Sequence, residues 1–151
     1  MKFAHIADTH IRNLKFHYEY NEVFKQLYAS LKEEKVDYII HCGDIAHTKT
    51  QISPEFVDMA RMFFTELANI APTYIILGNH DGNLKNDNRQ DAITPVIEAL
   101  QHPNLHLLKN SKEREAEVNE ANAETNFLKK FLKYYTINNI ILEQEGEIDE
   151  K

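Results

Sequence analysis

The sequence has little of what secreted and membrane proteins depend on. It holds one cysteine, Cys42, among 151 residues, so no internal disulfide can form. No apolar run approaches the roughly 20 residues of a membrane span, and the mean hydropathy is −0.53. The opening MKFAHIADTH has neither the basic start nor the apolar stretch of a secretory signal. We therefore expect a cytoplasmic protein without a membrane segment.

Charge of one sign is not in large excess. The chain carries 17 basic and 24 acidic residues, which gives a formal net charge of −7. This balance excludes a general polyanion binder, although a local basic rim or a bound metal can still contact nucleic acid. With 42% hydrophobic residues, a chain of this length can bury the core of one domain without disulfides.

Histidine and proline are missing from the last part of the chain. All eight histidines and all four prolines precede residue 107, whereas residues 109–151 hold seven basic residues, ten acidic residues and one glycine. We interpret residues 1–108 as one patterned domain and residues 109–151 as a divergent charged tail. An apolar stripe at helical spacing in residues 127–135 predicts a helix in this tail.

Strand and helix patterns alternate through the first 108 residues. Short β-rich runs predict strands at 3–7, 36–42, 73–77 and 105–108, and apolar residues at helical spacing predict helices at 21–34, from 54 onward and at 94–100. Ser53 followed by Pro54 is typical of a helix start. The order β-α-β-α-β-α-β predicts an α/β fold, a parallel sheet with flanking helices.

Polar clusters follow the first three predicted strands directly. They are Asp8-Thr9-His10, Gly43-Asp44 and Gly78-Asn79-His80-Asp81. Because the carboxyl ends of parallel strands meet at one edge of a sheet, we expect these clusters to converge there. The alternative is that they are polar loop residues that only cap turns.

The residue types in these clusters indicate metal chemistry. Carboxylates, imidazoles and an amide oxygen suit Mn, Fe, Zn or Mg rather than a soft thiolate-bound metal. One aspartate can bridge two ions, and two ions about 3.5–4 Å apart activate a water and clamp a phosphoryl group. Gly43 and Gly78 allow the backbone to turn sharply out of a strand into such a site.

Two histidines, His5 and His41, fall inside predicted strands. A strand histidine is more often a hydrogen-bonded core residue than a ligand, and we expect that role for both. Cys42 directly precedes Gly43, and we interpret it as a small buried hydrophobic residue, not a nucleophile.

The three clusters resemble the motifs of the calcineurin-like metallophosphoesterases, and among them the SbcD-type DNA repair exonuclease subunits. The matching text is HIADTHI at 5–11, IIHCGDIAHTKTQISP at 39–54 and IILGNHDG at 75–82. The resemblance covers residues 1–108. It implies about half of a metallophosphoesterase sandwich for the fold.

The resemblance also implies roles for individual residues. Asp8 and His10 would hold a first Mn²⁺ or Mg²⁺ ion, Asp44 would bridge two ions, and Asn79 would bind the second. His80 would be catalytic and would stabilise or protonate the leaving oxygen. The implied activity is that of a nuclease subunit, which acts on DNA in a recombination or repair complex beside an SbcC-type ATPase subunit.

Basic and histidine side chains follow all three motifs. They are Arg12, Lys15, His17, His47, Lys49, Lys85 and Arg89. The resemblance places His47 near DNA. The others are candidates for sequence-independent contacts with DNA phosphates. Ordinary solvated charges are the alternative.

The sequence departs from the family pattern after His106. The family continues into a second sheet with further metal-binding histidines, including a G-H-x-H turn, and no histidine follows here. We therefore expect an incomplete second metal site in a truncated, split or rearranged chain. A DNA phosphodiesterase, a non-catalytic half-domain that needs a complementing chain and a small-substrate phosphoesterase all stay open. The resemblance further implies a homodimer through helices at 54–68 and 94–101.

Overall fold

The computed structural model describes residues 1–82 and 89–109. It contains β1 Phe3–Ile6, α1 His17–Glu34, β2 Tyr38–His41, α2 Pro54–Ile70, β3 Thr73–Ile75, α3 Thr94–Leu100 and β4 Leu105–Leu107. The predicted alternation of strand and helix is confirmed. The predicted tail helix lies outside the described residues, and the domain boundary at residue 108 stays a prediction. None of the helices in the described part is both long and apolar enough to cross a membrane.

The four strands form one parallel sheet in sequence order, β1-β2-β3-β4. Right-handed crossovers between successive parallel neighbours place every connecting helix on the same face of a sheet. The core combines apolar residues of α1, α2 and α3 with one set of alternating strand residues. These are Ala4, Ile6, Ile39, Ile75, Leu105 and Leu107. The helices therefore lie on one face of the sheet. They do not cover the carboxyl ends of the strands, from which the loops extend.

Helix α2 is the best specified element of the fold. The Ser53 hydroxyl accepts a hydrogen bond from the N–H of Phe56 at 3.1 Å, and Pro54 occupies the first turn, as the sequence predicts. By contrast, α1 begins at His17, four residues before the predicted start at 21. The side chain of Tyr18 in that first turn is 76% exposed, so apolar periodicity could not mark it.

The two strand histidines differ in environment. His41 is fully buried, and its Nδ1 accepts the N–H of Gly43 at 3.2 Å, which confirms the core role. The core prediction for His5 is wrong, since this side chain is exposed. Side chains alternate across a strand, and His5 lies on the face opposite α1–α3. Its Nε2 is 2.9 Å from Sγ of Cys42, whose thiol is half-buried.

Candidate metal centre

Three loops leave the carboxyl ends of the first three strands: loop 1 (residues 7–16), loop 2 (residues 42–53) and loop 3 (residues 76–82 of the described part). Loops 1 and 2 continue the parallel hydrogen-bond ladder of β1 and β2. The N–H groups of Asp8 and His10 donate to the carbonyls of Gly43 and Asp44 at 3.1 and 2.9 Å. The ladder therefore holds the first two polar clusters side by side.

Asp8, His10 and Asp44 form the centre of the site. Each offers one ligand atom, and these atoms all lie within 4.8 Å of one another. His10 Nε2 is 3.6 Å from Asp8 Oδ1 and 3.9 Å from Asp44 Oδ2. Both distances are too long for a good hydrogen bond, but they suit atoms that flank a cation with bonds of about 2.0–2.2 Å. The donor set fits a metal ion.

Asn79 lies against the same aspartate. Its side-chain amide approaches both carboxylate oxygens of Asp44, at 3.2 and 3.3 Å. With nitrogen toward Asp44, the amide donates hydrogen bonds to the carboxylate. With oxygen toward Asp44, the facing oxygens need a cation between them. Either way, Asn79 and Asp44 are adjacent, as a second ion shared by these residues requires.

The imidazole of His10 has one unusual atom. Its Nδ1 is buried and has no hydrogen-bond partner within the described residues. A buried nitrogen without a partner is uncommon in native proteins and is often explained by an ion or a water. The main chain of His10 is well fixed, because its carbonyl accepts the hydroxyl of Tyr20 at 2.6 Å.

All three central residues have a left-handed backbone. The φ angles of Asp8, His10 and Asp44 are 54°, 45° and 54°. This conformation costs roughly 1–3 kcal/mol at a non-glycine residue, although aspartate and histidine adopt it more readily than most. The hydrogen bonds between loops 1 and 2 hold the strained geometry. Such strain is common at ligand-binding positions.

Two glycines allow loops 2 and 3 to touch. A Cβ at Gly43, where φ is 93°, would overlap the backbone N of Gly78. A Cβ at Gly78 would overlap the carboxylate and backbone N of Asp44. Glycine is therefore needed at both positions, for the close approach of the loops rather than for the sharp turn alone.

Asp81 is the site residue to which the sequence analysis gave no role. It is fully buried, and its Oδ1 accepts the N–H groups of Ile45 and Ala46, each at 2.8 Å. Its Oδ2 accepts the N–H of Gly78 at 2.9 Å. Burial raises the pKa of Asp81 to about 6, while the three N–H donors oppose that rise. At neutral pH the carboxylate is ionised and fastens loop 3 to loop 2. In the sequence, the sign of a role for Asp81 is its place in the G-N-H-D motif.

His80 faces the centre with a defined tautomer. The backbone N–H of His80 donates to Asp44 Oδ1 at 3.0 Å, and the ring centroid of His80 is 4.7 Å from that of His10. Its Nδ1 lies 3.0 Å from the carbonyl oxygen of His47. Because a carbonyl only accepts hydrogen bonds, Nδ1 carries a proton. Nε2 is therefore the ring nitrogen of His80 that this hydrogen bond does not use.

The predicted DNA contacts fall into different settings. Lys49 Nζ donates to the carbonyls of Asn79 and Gly82 at 3.1 and 3.3 Å, so it also braces loop 3. His17 Nε2 donates to the carbonyl of Arg12 at 2.6 Å and stabilises loop 1. Lys15 and Arg89 are exposed, whereas Lys85 lies outside the described residues.

His47 is the predicted DNA contact nearest the centre, with its ring 5.9 Å from that of His10. The pKa of His47 is lowered by desolvation first, and then by the positive charges of Arg12, His10 and His80. Arg12 therefore lies close enough to act on His47.

The sequence matches a family model and is similar to known proteins. A family model for the calcineurin-like phosphoesterases matches residues 1–148. The DNA double-strand break repair protein Mre11 of Archaeoglobus fulgidus is 33% identical over 90 residues, which cover 54% of this chain and 19% of that protein. An uncharacterized protein of Acanthamoeba polyphaga mimivirus is 48% identical over 111 residues, 71% of this chain and 8% of that protein. The aligned residues make up less than a fifth of either relative.

Proposed function

Because the chain belongs to the calcineurin-like phosphoesterases, a metal-dependent family, we propose that it hydrolyses phosphodiester bonds of DNA as a nuclease. The observation that carries the proposal is the meeting of Asp8, His10 and Asp44 within 4.8 Å. The choice of DNA is supported by the similarity to a protein named for double-strand break repair.

The proposed centre has a first ion site and an incomplete second one, and Mn²⁺ or Mg²⁺ suits its oxygen and imidazole donors. Asp8 and His10 would hold the first ion, Asn79 would hold the second, and Asp44 would serve both. When bound, such ions polarise the phosphoryl group and lower the pKa of a water that can attack it. The ladder between loops 1 and 2, together with the hydrogen bonds of Asp81 to loops 2 and 3, holds the backbone that carries these side chains.

His80 has a separate role in the proposed reaction. Its Nδ1 is fixed on the carbonyl of His47, which leaves Nε2 to hold a proton near the leaving sugar oxygen. A group that donates this proton, or stabilises the developing charge, contributes about 10²–10⁴-fold in rate. The hydrogen bond to His47 keeps the imidazole in the orientation that this role needs.

A recombination or repair complex with an SbcC-type ATPase subunit is the setting that we propose, in the cytoplasm. The relative from Archaeoglobus fulgidus supports the repair setting. A small-substrate phosphoesterase would use the same centre. A half-domain that needs a complementing chain would show no activity alone.

The deciding experiment compares two substrates with the purified chain and Mn²⁺. We expect cleavage of a DNA oligonucleotide and slower hydrolysis of bis-p-nitrophenyl phosphate, both lost with a chelator and in Asp44→Asn. Asp58→Asn is the matched control, because Asp58 lies exposed on α2 and pairs with Arg61. Hydrolysis of the small diester without DNA cleavage would favour the small-substrate enzyme. No hydrolysis of either would favour the half-domain.

Metal binding is a further prediction. Four candidate ligands cannot fill two octahedral shells without water, so calorimetric titration with Mn²⁺ should show weak binding of one ion and barely any of a second. Asp44→Asn should remove this binding, and Asp58→Asn should keep it. Tight binding of two ions would contradict the expectation of an incomplete second site.

Self-association is predicted at the outer surface of α2 and α3. A groove of about 320 Å³ lies between these helices and is lined by apolar residues such as Val57, Pro95 and Leu100. The side chain of Val57 is 38% exposed. We expect a dimer in sedimentation experiments at tens of micromolar, where a weak interface is already populated. Val57→Glu should give a monomer, and Val23→Glu on α1 should not. A monomeric wild-type chain would contradict the prediction.

A further inference from the structure

Loop 1, which carries two of the proposed metal ligands, exposes two large apolar side chains. Leu14 is 72% exposed and Phe16 is 56% exposed. A single exposed apolar residue is ordinary in a folded protein. These two, however, lie in the same loop as Asp8 and His10, within eight residues of the first proposed ligand.

Hydrogen bonds hold this part of loop 1 in one conformation. The side-chain amide of Asn13 donates to the carbonyl of Gln51 at 2.6 Å and accepts the N–H of Ser53 at 3.1 Å. His17 donates to the carbonyl of Arg12 on the other side. The loop is therefore pre-organised, which lowers the cost of ordering it when a ligand binds.

The backbone of Phe16 is strained, and the packing of its side chain does not offset that strain. Its φ and ψ are 64° and 22°, the left-handed region, at the N-cap of α1. Glycine adopts this conformation freely, and serine or aspartate at an N-cap would satisfy a helix N–H. More than half of the Phe16 side chain is in solvent, so burial does not offset the strain. Strain of this kind clusters at positions that contact ligands.

Arg12 lies over the ring of Phe16, and its charge acts on a histidine near the metal centre. Its guanidinium carbon is 5.9 Å from the centre of the Phe16 ring. The charge of Arg12 also acts on His47, whose ring is 5.9 Å from that of His10. Phe16 and Arg12 thus form an aromatic–cation pair on the same loop that carries Asp8 and His10.

We infer that Phe16 and Arg12 form a subsite for one unpaired nucleobase and its phosphate, so that the substrate is DNA with a single-stranded end. The inference rests on the proposed function, since the metal centre positions the neighbouring phosphate. Every base offers a π-face to an aromatic ring, and the arginine contacts the phosphate without regard to sequence. Bases inside a duplex are stacked on each other and leave no face for Phe16.

The test compares two labelled single-stranded oligonucleotides, one of thymidines and one with abasic sites and the same number of phosphates. Binding is followed by fluorescence anisotropy with Mn²⁺, before cleavage is detectable. The wild-type chain should bind the thymidine strand about tenfold more tightly, within the 5- to 150-fold range of one stacked base. Phe16→Gly should abolish this preference, and Phe16→Trp should keep it.

Two measurements guard the interpretation. Phe16→Gly removes the backbone strain, so its melting temperature should equal or exceed that of the wild-type chain, which a loss of folding could not produce. Val23→Ala truncates an equally exposed residue on α1, at 59%, and should leave the base preference unchanged.

Several results would overturn the inference. A base preference that survives Phe16→Gly would show that the stacking surface lies elsewhere. If Phe16→Gly lost as much affinity for a blunt-ended duplex as for the thymidine strand, the subsite would take an end base pair and not an unpaired base. Hydrolysis of bis-p-nitrophenyl phosphate by the wild-type chain tests the metal centre separately, because this diester has no base.

Discussion

His80→Ala is expected to abolish most DNA cleavage, by about 10²–10⁴-fold, while it keeps the affinity for Mn²⁺ within a few-fold. The physical reason is that two neighbouring residues of the same turn, Asn79 and His80, have different partners. The side chain of Asn79 lies against the carboxylate of Asp44, whereas Nδ1 of the next residue, His80, is fixed on a carbonyl of loop 2. The imidazole of His80 is therefore placed for proton transfer and not for metal binding.

The comparison that separates these roles uses two ligand variants. Asp8→Ala and Asp44→Ala each remove a carboxylate from the cluster within 4.8 Å, so both should lose Mn²⁺ binding and cleavage together. His102→Ala serves as the control, since that ring bonds Asn69 at the far end of α2. Mn²⁺ affinity and cleavage rate are measured on all four. Loss of the metal in His80→Ala, as complete as in Asp44→Ala, would make His80 a ligand and end the role assignment.

Gly78→Ala is expected to remove Mn²⁺ binding almost entirely with one added methyl group. The new Cβ would overlap both the carboxylate and the backbone N of Asp44, the residue that we propose is shared by two ions. Neither loop can retreat easily, because Asp81 ties them together through three N–H groups. Overpacking at a constrained site also costs stability, typically about 1–3 kcal/mol.

Gly82→Ala is the matched control in the same loop. Among the described residues, a Cβ there meets the side chain and Cα of Asp91, at 3.0 and 3.9 Å, and no member of the Asp8, His10 and Asp44 cluster. Calorimetric titration with Mn²⁺ and thermal melting are measured on both variants. We expect Gly78→Ala to melt lower and to bind no Mn²⁺, with Gly82→Ala close to the wild-type chain. Normal Mn²⁺ affinity in Gly78→Ala would mean that Asp44 is not a ligand.

Local signals account for the parts of the fold that were predicted well. The start of α2 depends on Ser53 and Pro54 alone, and its apolar face depends on periodicity, so both could be found without tertiary information. The first turn of α1 was missed because Tyr18 faces solvent. His5 was assigned to the core because strand membership does not reveal which face of the sheet the helices cover.

The order of strands and helices, and the polar cluster after each of three strands, can be found in the amino-acid sequence alone. These features depend on residues that are neighbours in the chain. Three other features become visible only in the folded chain: the role of Asp81, the close approach of Gly43 to Gly78, and the pairing of Arg12 with the ring of Phe16. The reason is that such features depend on distances between residues far apart in the chain, such as Ile45 and Asp81, which are 36 positions apart. Packing of the sheet sets those distances, and no local pattern encodes them.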